Sequence, residues 1–473
     1  MLSPVGYDFE AGMHLFRYQE LNILLDVNSG AIHVLDDISC RFIEKMRDYD
    51  GDTQLAVRDL SSEFSDDEIQ EVLAELESAC QAESIFTRED SLSFDWSNLP
   101  IKAMCLNVAH ACNMKCHYCF ASQGDFGMNP CLMSLETGKK ALDFLIARSG
   151  PARNLEVDFF GGEPLLNAAM LKELVRYGRE REKECGKKFN FTLTTNALLL
   201  EDDIVDFVVS NDISVILSLD GRPETNDRHR ILNNGTGSYQ IIVPKIKKMV
   251  ENKPISYYIR GTFTRRNLDF SKDLQHIIDL GFDAVSLEPA VGPANEYSIR
   301  EADLPLVLTE YERLTELLCN YHKSGREVHF FHYNLDLQKG PCLAKRQSGC
   351  GAGVEYLVVT PEGDIYPCHQ FVGEDEFLMG NIYTGDLDGE ISQKFAGNRL
   401  QDKVVCRTCW ARNFCGGGCH ANAFHTSGDM SIPDSVSCAM HRKRIEGAIY
   451  LEIIKNMDKG INCRKKQEFY QSL

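Results

Sequence analysis

The chain has 473 residues, 43% hydrophobic and 25% charged, enough for about three domains with cores of their own. Its 50 Lys and Arg face 70 Asp and Glu, a net charge of −20, which excludes general binding to nucleic-acid backbones. No apolar run reaches the roughly 18 residues of a membrane span, and the opening MLSPVGYDFEAG has no basic or apolar region of a secretory signal, so a cytoplasmic protein without nucleic-acid or membrane partners is expected.

Residues 1–98 open with HLFRY, ELNILLDVNSG and AIHVLDD, three short strands with a hairpin turn at Asn28-Ser29-Gly30. Three helical patterns follow: ISCRFIEKMRDYD, TQLAVRDLSSEF and SDDEIQEVLAELESACQ, the last opened by a Ser65/Glu68 capping box. This is a winged-helix-like module. Its helices are acidic, which favours peptide binding over DNA, with a purely structural appendage as the plain alternative.

Residues 99–300 alternate strands and helices. MCLNVAH, LEVDFF, FNFTLTT, ISVILSLD, YYIRGTF and AVSLEP read as six strands. Strand–helix units imply parallel strands wound right-handed. Six make an open, partial (β/α)6 TIM-like barrel, with ligand sites at the C-terminal strand ends. LPLVLTEYERLTELLCNYHKSG is a bridging helix within 301–340, and 341–473 is rich in Cys and Gly until a last helix around MHRKRIEGAIYLEIIKNM.

The 18 cysteines are many for a reducing compartment, where clustered thiols more often hold metal than form disulfides. Cys40, Cys80, Cys105, Cys131, Cys185, Cys319 and Cys463 lie scattered and read as core or bystander residues. The rest fall in groups. Cys112-x3-Cys116-x2-Cys119 follows the first barrel strand and suits three irons of a [4Fe–4S] cube, leaving one iron open. A zinc knuckle is the alternative, although zinc sites usually close with a fourth ligand. Cys342, Cys350 and Cys368 come next, then Cys406-x2-Cys409-x5-Cys415-x3-Cys419 and Cys438. Spacing alone leaves zinc and iron–sulfur readings of this dense run about even.

The Cys112 spacing resembles the signature of radical S-adenosylmethionine (SAM) enzymes. The resemblance implies that Gly162 and Glu163 of a GGEP motif hold the methionine amino group, and that Thr195 and Asn196 end the third strand of the site. It also implies ribose contacts at Ser218 and Asp220, adenosine contacts at Glu288, and an adenine contact through the Tyr118 backbone. Arg230 suits the methionine carboxylate, or is a plain surface arginine. His110 and His117 flank the cluster motif as lone histidines of the structural kind.

The C-terminal pattern, Gly363-x4-Cys368 followed by the dense run, resembles the SPASM extension with two auxiliary [4Fe–4S] clusters. By that resemblance Cys342, Cys350, Cys368 and Cys419 hold the first, and Cys406, Cys409, Cys415 and Cys438 the second, making three clusters and bound SAM as cofactors. Over nearly its whole length the chain is similar to SCIFF (ranthipeptide) maturases, through NILLDVNSGAIHVLDD, GCGAG and VTPEGDIYPCHQFVGE.

The activity this implies is thioether formation between a Cys sulfur and a carbon of another residue in a Cys-rich precursor peptide. The peptide's leader binds the N-terminal module, and a flavodoxin or ferredoxin donates single electrons. Reductive SAM cleavage yields methionine and a 5′-deoxyadenosyl radical, which takes hydrogen from the peptide; no side-chain acid or base is assigned. Formylglycine formation of the anaerobic sulfatase-maturing type and peptide epimerisation are the alternatives.

Overall fold

The computed structural model describes residues 4, 6–89, 99–292, 295–335, 337, 347 and 349–458. The N-terminal unit is an antiparallel meander of β1 (Met13–Tyr18), β2 (Leu21–Asp26) and β3 (Ile32–Leu35). It carries α1 (Asp37–Asp48), α2 (Thr53–Leu60) and α3 (Asp66–Gln81). Each helix starts on a side-chain cap: Asp36, Asp52, and Ser65 in a reciprocal capping box with Glu68. Phe42, Ile43 and Met46 of α1 pack on Leu24 and on Ile69, Val72 and Leu76 of α3, a core of its own.

The larger unit is one twisted sheet. Six parallel strands form its centre: β4 (Ala103–Ala109), β5 (Asn154–Gly161), β6 (Lys188–Thr195), β7 (Ser214–Ser218), β8 (Tyr257–Phe263) and β9 (Ala284–Pro289). Covering helices are α4 (Leu135–Arg148), α5 (Ala168–Cys185), α6 (Asp202–Ser210), α7 (Pro223–His229), α8 (Tyr239–Glu251) and α9 (Phe270–Asp279), with α10 (Leu304–Lys323) bridging onward. One face of each strand is apolar against these helices, as Val157 and Phe159 are in β5, while Asp158 and Phe160 turn inward.

Two extensions of this sheet go beyond the six strands read from sequence. β10 (His329–Phe330) adds parallel to β9. On the other side β11 (Tyr356–Val359) adds parallel to β4, followed antiparallel by β12 (Asp364–Tyr366) and β13 (Gly380–Asn381). The order is therefore 10-9-8-7-6-5-4-11-12-13. The Cys-rich region is thus a continuation of the barrel sheet. It ends with α11 (Gly389–Ala396), α12 (His420–Ser427) and α13 (Ser435–Asp458), the last packed against α10. Among the described residues no helix is long and apolar enough to cross a membrane.

Candidate iron–sulfur and SAM site

The loop after β4 carries Cys112, Cys116 and Cys119. Main-chain hydrogen bonds hold it on both flanks: Lys115 N to Ile231 O at 2.9 Å and His117 N to His229 O at 3.1 Å on one side, Glu163 N to Ala111 O at 2.9 Å on the other. The approach to the GGEP turn is so close that a Cβ on Gly162 would lie 2.2 Å from the Ala111 carbonyl oxygen and 2.8 Å from the Gly124 Cα. Gly124 in turn abuts Cys112, its own added Cβ 2.7 Å from that Cβ. The three thiols share one environment. Burial pushes the Cys112 thiol up to about 12, and Glu163, Cys116 and Cys119 add to it. Burial also raises Cys116, with the Arg230 guanidinium opposing.

Glu163 sits beneath this loop with no exposed surface. Its carboxylate accepts from Leu165 N at 3.0 Å, Thr195 Oγ1 at 2.8 Å and Asn196 N at 2.8 Å. Asn196 then donates to Asn113 Oδ1 at 2.8 Å, beside Cys112. The expected residues Gly162, Glu163, Thr195 and Asn196 are thus brought together with the cluster loop, but the Glu163 carboxylate faces protein donors and not the barrel mouth.

A second network lies across the mouth. Tyr118 donates its phenol to Asp220 at 2.9 and 2.7 Å, and Arg230 Nη1 donates to the Tyr118 oxygen at 3.2 Å. Thr262 N donates to Asp220 at 3.0 Å. Burial pushes the Asp220 carboxyl up to about 6, against the pull of Arg230 and Tyr118. Arg230 is buried, not a surface arginine, and its Nε has no partner. Tyr118 was expected to act through its backbone; its side chain is committed to this network. Ser218 and Gly162 are partly open at the strand ends. Glu288 closes β9 in a triad that sequence spacing does not reveal. His332 Nε2 lies 3.3 Å from its carboxylate and His332 Nδ1 lies 2.9 Å from Arg444 Nη1 of α13. Burial works against the Glu288 charge, but His332, Arg260 and Arg444 hold it well below the usual carboxylate range.

The remaining thiols fall into two neighbourhoods. Cys368 is raised by burial and then by Cys419 and Cys350, while Cys419 adds to the raised Cys350. Cys342 lies outside the described residues. In the other set, burial pushes Cys406 up to about 11 and Cys438 up to about 12, with Cys415 and Cys409 contributing to each. Lys403, which sequence reading passed over, is 2% exposed and stands between the sets. Its ammonium donates to Gly417 O at 3.0 Å and feels Cys406, Cys415, Cys438 and Cys419. The first set reaches the barrel interior: His369, next to Cys368, stacks on Phe160 of β5 at 5.2 Å between ring centroids. The donor chemistry of three thiols, three described thiols and four thiols fits cubane iron–sulfur clusters.

Residues 106–286 match the radical SAM superfamily and residues 350–410 match SPASM, an iron–sulfur cluster-binding domain. Among curated relatives, a cysteine-type anaerobic sulfatase-maturating enzyme of Clostridium novyi is 26% identical over 336 residues, 66% of this chain and 85% of that one. The solved structure of native anSMEcpe with bound AdoMet superposes with a TM-score of 0.64 at 20% identity, covering 76% of this chain and 100% of that one. Streptococcus suis SuiB bound to precursor peptide SuiA superposes with a TM-score of 0.51 at 17% identity, covering 92% of this chain and 99% of that one.

Proposed function

We propose that this radical SAM protein with a C-terminal SPASM domain, an enzyme of radical chemistry that uses [4Fe–4S] clusters and SAM, forms thioether cross-links in a Cys-rich precursor peptide of the ranthipeptide kind. The observation that carries the reading is the stack of His369 on Phe160, which sets Cys368 and its neighbours against the barrel interior. A substrate thiol held there is within the chamber where the peptide carbon must lie.

Joining sulfur to carbon removes a hydrogen atom from the carbon, a proton from the thiol and one electron. When bound, SAM and the clusters supply the hydrogen acceptor and take up that electron. The chain's residues position and seal. Cys112, Cys116 and Cys119 hold the first of three clusters, about twelve irons in all. Glu163 and Asp220, both closed to solvent, brace the GGEP turn and the Tyr118 phenol. Gly162, Ser218 and Glu288 border the SAM pocket, and Arg230 faces the methionine carboxylate.

The leader peptide adds to the edge of β3. The β1 side is crowded by the C-terminal region: Arg412 donates to Ala11 O just before the strand, and the His14 side chain stacks on Trp410. Among the described residues β3 pairs only with β2, which leaves its outer edge for a strand, with apolar side chains beside α3. Such a precursor, incubated with reduced enzyme and SAM, is expected to lose two hydrogens and one alkylatable thiol per cross-link, read by mass spectrometry. Formation of 5′-deoxyadenosine with all thiols retained overturns the reading. The likeness to the Clostridium novyi enzyme favours formylglycine formation as the second reading; it converts a single Cys to an aldehyde without a cross-link.

A further inference from the structure

We propose that His110, Cys131 and Glu362 form a mononuclear zinc(II) site, separate from the three cysteine sets. One ligand atom of each lies within 4.8 Å of the other two. None of the three belongs to a cluster motif, and Cys131 reads from sequence as a bystander.

Three observations carry the assignment. His110 is completely buried, and neither ring nitrogen has a partner. A neutral imidazole buried in this way forfeits both a donor and an acceptor interaction. A cation takes up the acceptor nitrogen. Second, the Cys131 Sγ is 2.9 Å from a carboxylate oxygen of Glu362, so a soft and a hard donor already converge. Third, the main chain fixes the geometry. His110 N donates to Cys131 O at 2.9 Å, Met133 N donates to Val108 O at 2.9 Å, and Ala109 bridges Leu132. Glu362 stands in the tight turn between β11 and β12, where Gly363 adopts φ +94°.

Imidazole nitrogen, thiolate sulfur and carboxylate oxygen together suit zinc(II) better than magnesium or calcium, which prefer all-oxygen shells. Binding is redox-neutral. A Zn–S bond replaces the S–H bond, and the proton leaves to solvent. One thiolate and one carboxylate neutralise the dication. Cys131 is partly exposed and Glu362 exposed, so water completes the fourth position. The ion would fasten the end of β4, two residues before Cys112, to the hairpin tip of the C-terminal domain.

The test uses the full chain with its clusters reconstituted, zinc chloride as the probe, desalting, and metal analysis of zinc and iron. One zinc per chain is expected. Zinc-edge X-ray absorption should show one sulfur at about 2.3 Å and nitrogen or oxygen at about 2.0–2.1 Å. Cys131→Ser should lower zinc retention at least roughly tenfold with iron content unchanged. Glu362→Gln alters an exposed side chain and serves as the second variant if Cys131→Ser folds poorly. Zinc lost on desalting, zinc in an all-sulfur shell, or equal retention in Glu362→Gln each overturns the proposal.

Discussion

His14 of β1 lies flat against Trp410, ring centroids 3.7 Å apart and planes 3° apart. Trp410 follows Cys409 directly, so the N-terminal module is seated on the loop that carries Cys406, Cys409 and Cys415. Arg412 donates to Asn28 Oδ1 at 2.9 Å and Asn413 to Val27 O at 2.8 Å, and His14 contacts Glu446 at 3.0 Å. Removing residues up to Asn98 would therefore strip a face from that loop as well as remove the proposed leader site. A point variant separates the two. Trp410→Ala should weaken this seat by about 2 kcal/mol. Amide exchange in Met13–Tyr18 should rise, while SAM cleavage without peptide is retained. Unchanged exchange would show that the stack contributes nothing.

Gly162→Ala should abolish SAM cleavage and release iron from the barrel cluster. The added methyl meets main-chain atoms of Ala111 and Gly124, neither of which can rotate away. Overpacking of this kind costs about 1–3 kcal/mol where side chains give, and more where they do not. Iron content before and after, with 5′-deoxyadenosine yield, reads the effect.

Asp158 offers a pH test. It points inward from β5, and burial pushes its carboxyl up to about 6, Glu156 adding and Thr192 opposing. The native chain then keeps a proton that the unfolded chain has released between about pH 4 and 6, so stability falls as pH rises through that window. Above it the loss is at most about 3 kcal/mol. Asp158→Asn should unfold at the same denaturant concentration as wild type at pH 4 and at a higher one at pH 8. A constant difference across pH would show that Asp158 does not titrate this way.

Local pattern made much of this legible. The succession of strand-like and helical segments marked β4 to β9, Ser65 and Glu68 marked the start of α3, and short-range spacing marked the cysteine motifs. What stayed hidden depends on distant partners or on a misleading residue. α8 contains Pro244, which argues against a helix until its apolar face is seen packed on the sheet. β11 pairs with β4 across some 250 residues, Tyr356 opposite Ala103, and no local signal announces such a pairing. Lys403 and the His332–Arg444 pair are unremarkable in sequence, since a lone Lys or His gains meaning only from what folds around it.

Lys403 supplies a redox prediction. A buried cation stabilises the reduced, more negative form of a nearby cluster. Lys403→Met should lower the potential of an auxiliary cluster by roughly 40 mV, about 1 kcal/mol of charge interaction for one electron. Potentiometric titration followed by electron paramagnetic resonance measures it. The barrel cluster serves as the internal control and should not move.

The last prediction separates the two auxiliary sets. Cys368 adjoins His369, whose ring stacks on Phe160 at the barrel interior, and His369 also lies 5.2 Å from Phe120 of the cluster loop. Cys409 and Cys415 instead flank Trp410, Arg412 and Asn413, the residues that contact the N-terminal module. Under the proposed function the first set is the one to meet a substrate thiol, and the second holds structure or relays an electron. Cys368→Ala should keep peptide-free SAM cleavage within roughly threefold of wild type and lower thioether yield by more than about a hundredfold. Full cross-linking by Cys368→Ala would remove the first set from the reaction. Replacing Cys342 alone then decides how that set is completed. Loss of iron with loss of yield makes Cys342 its fourth protein ligand. Iron and yield both untouched leave the fourth position to the substrate's own sulfur, in which case an inert thiol added in excess should compete with the peptide and slow cross-linking.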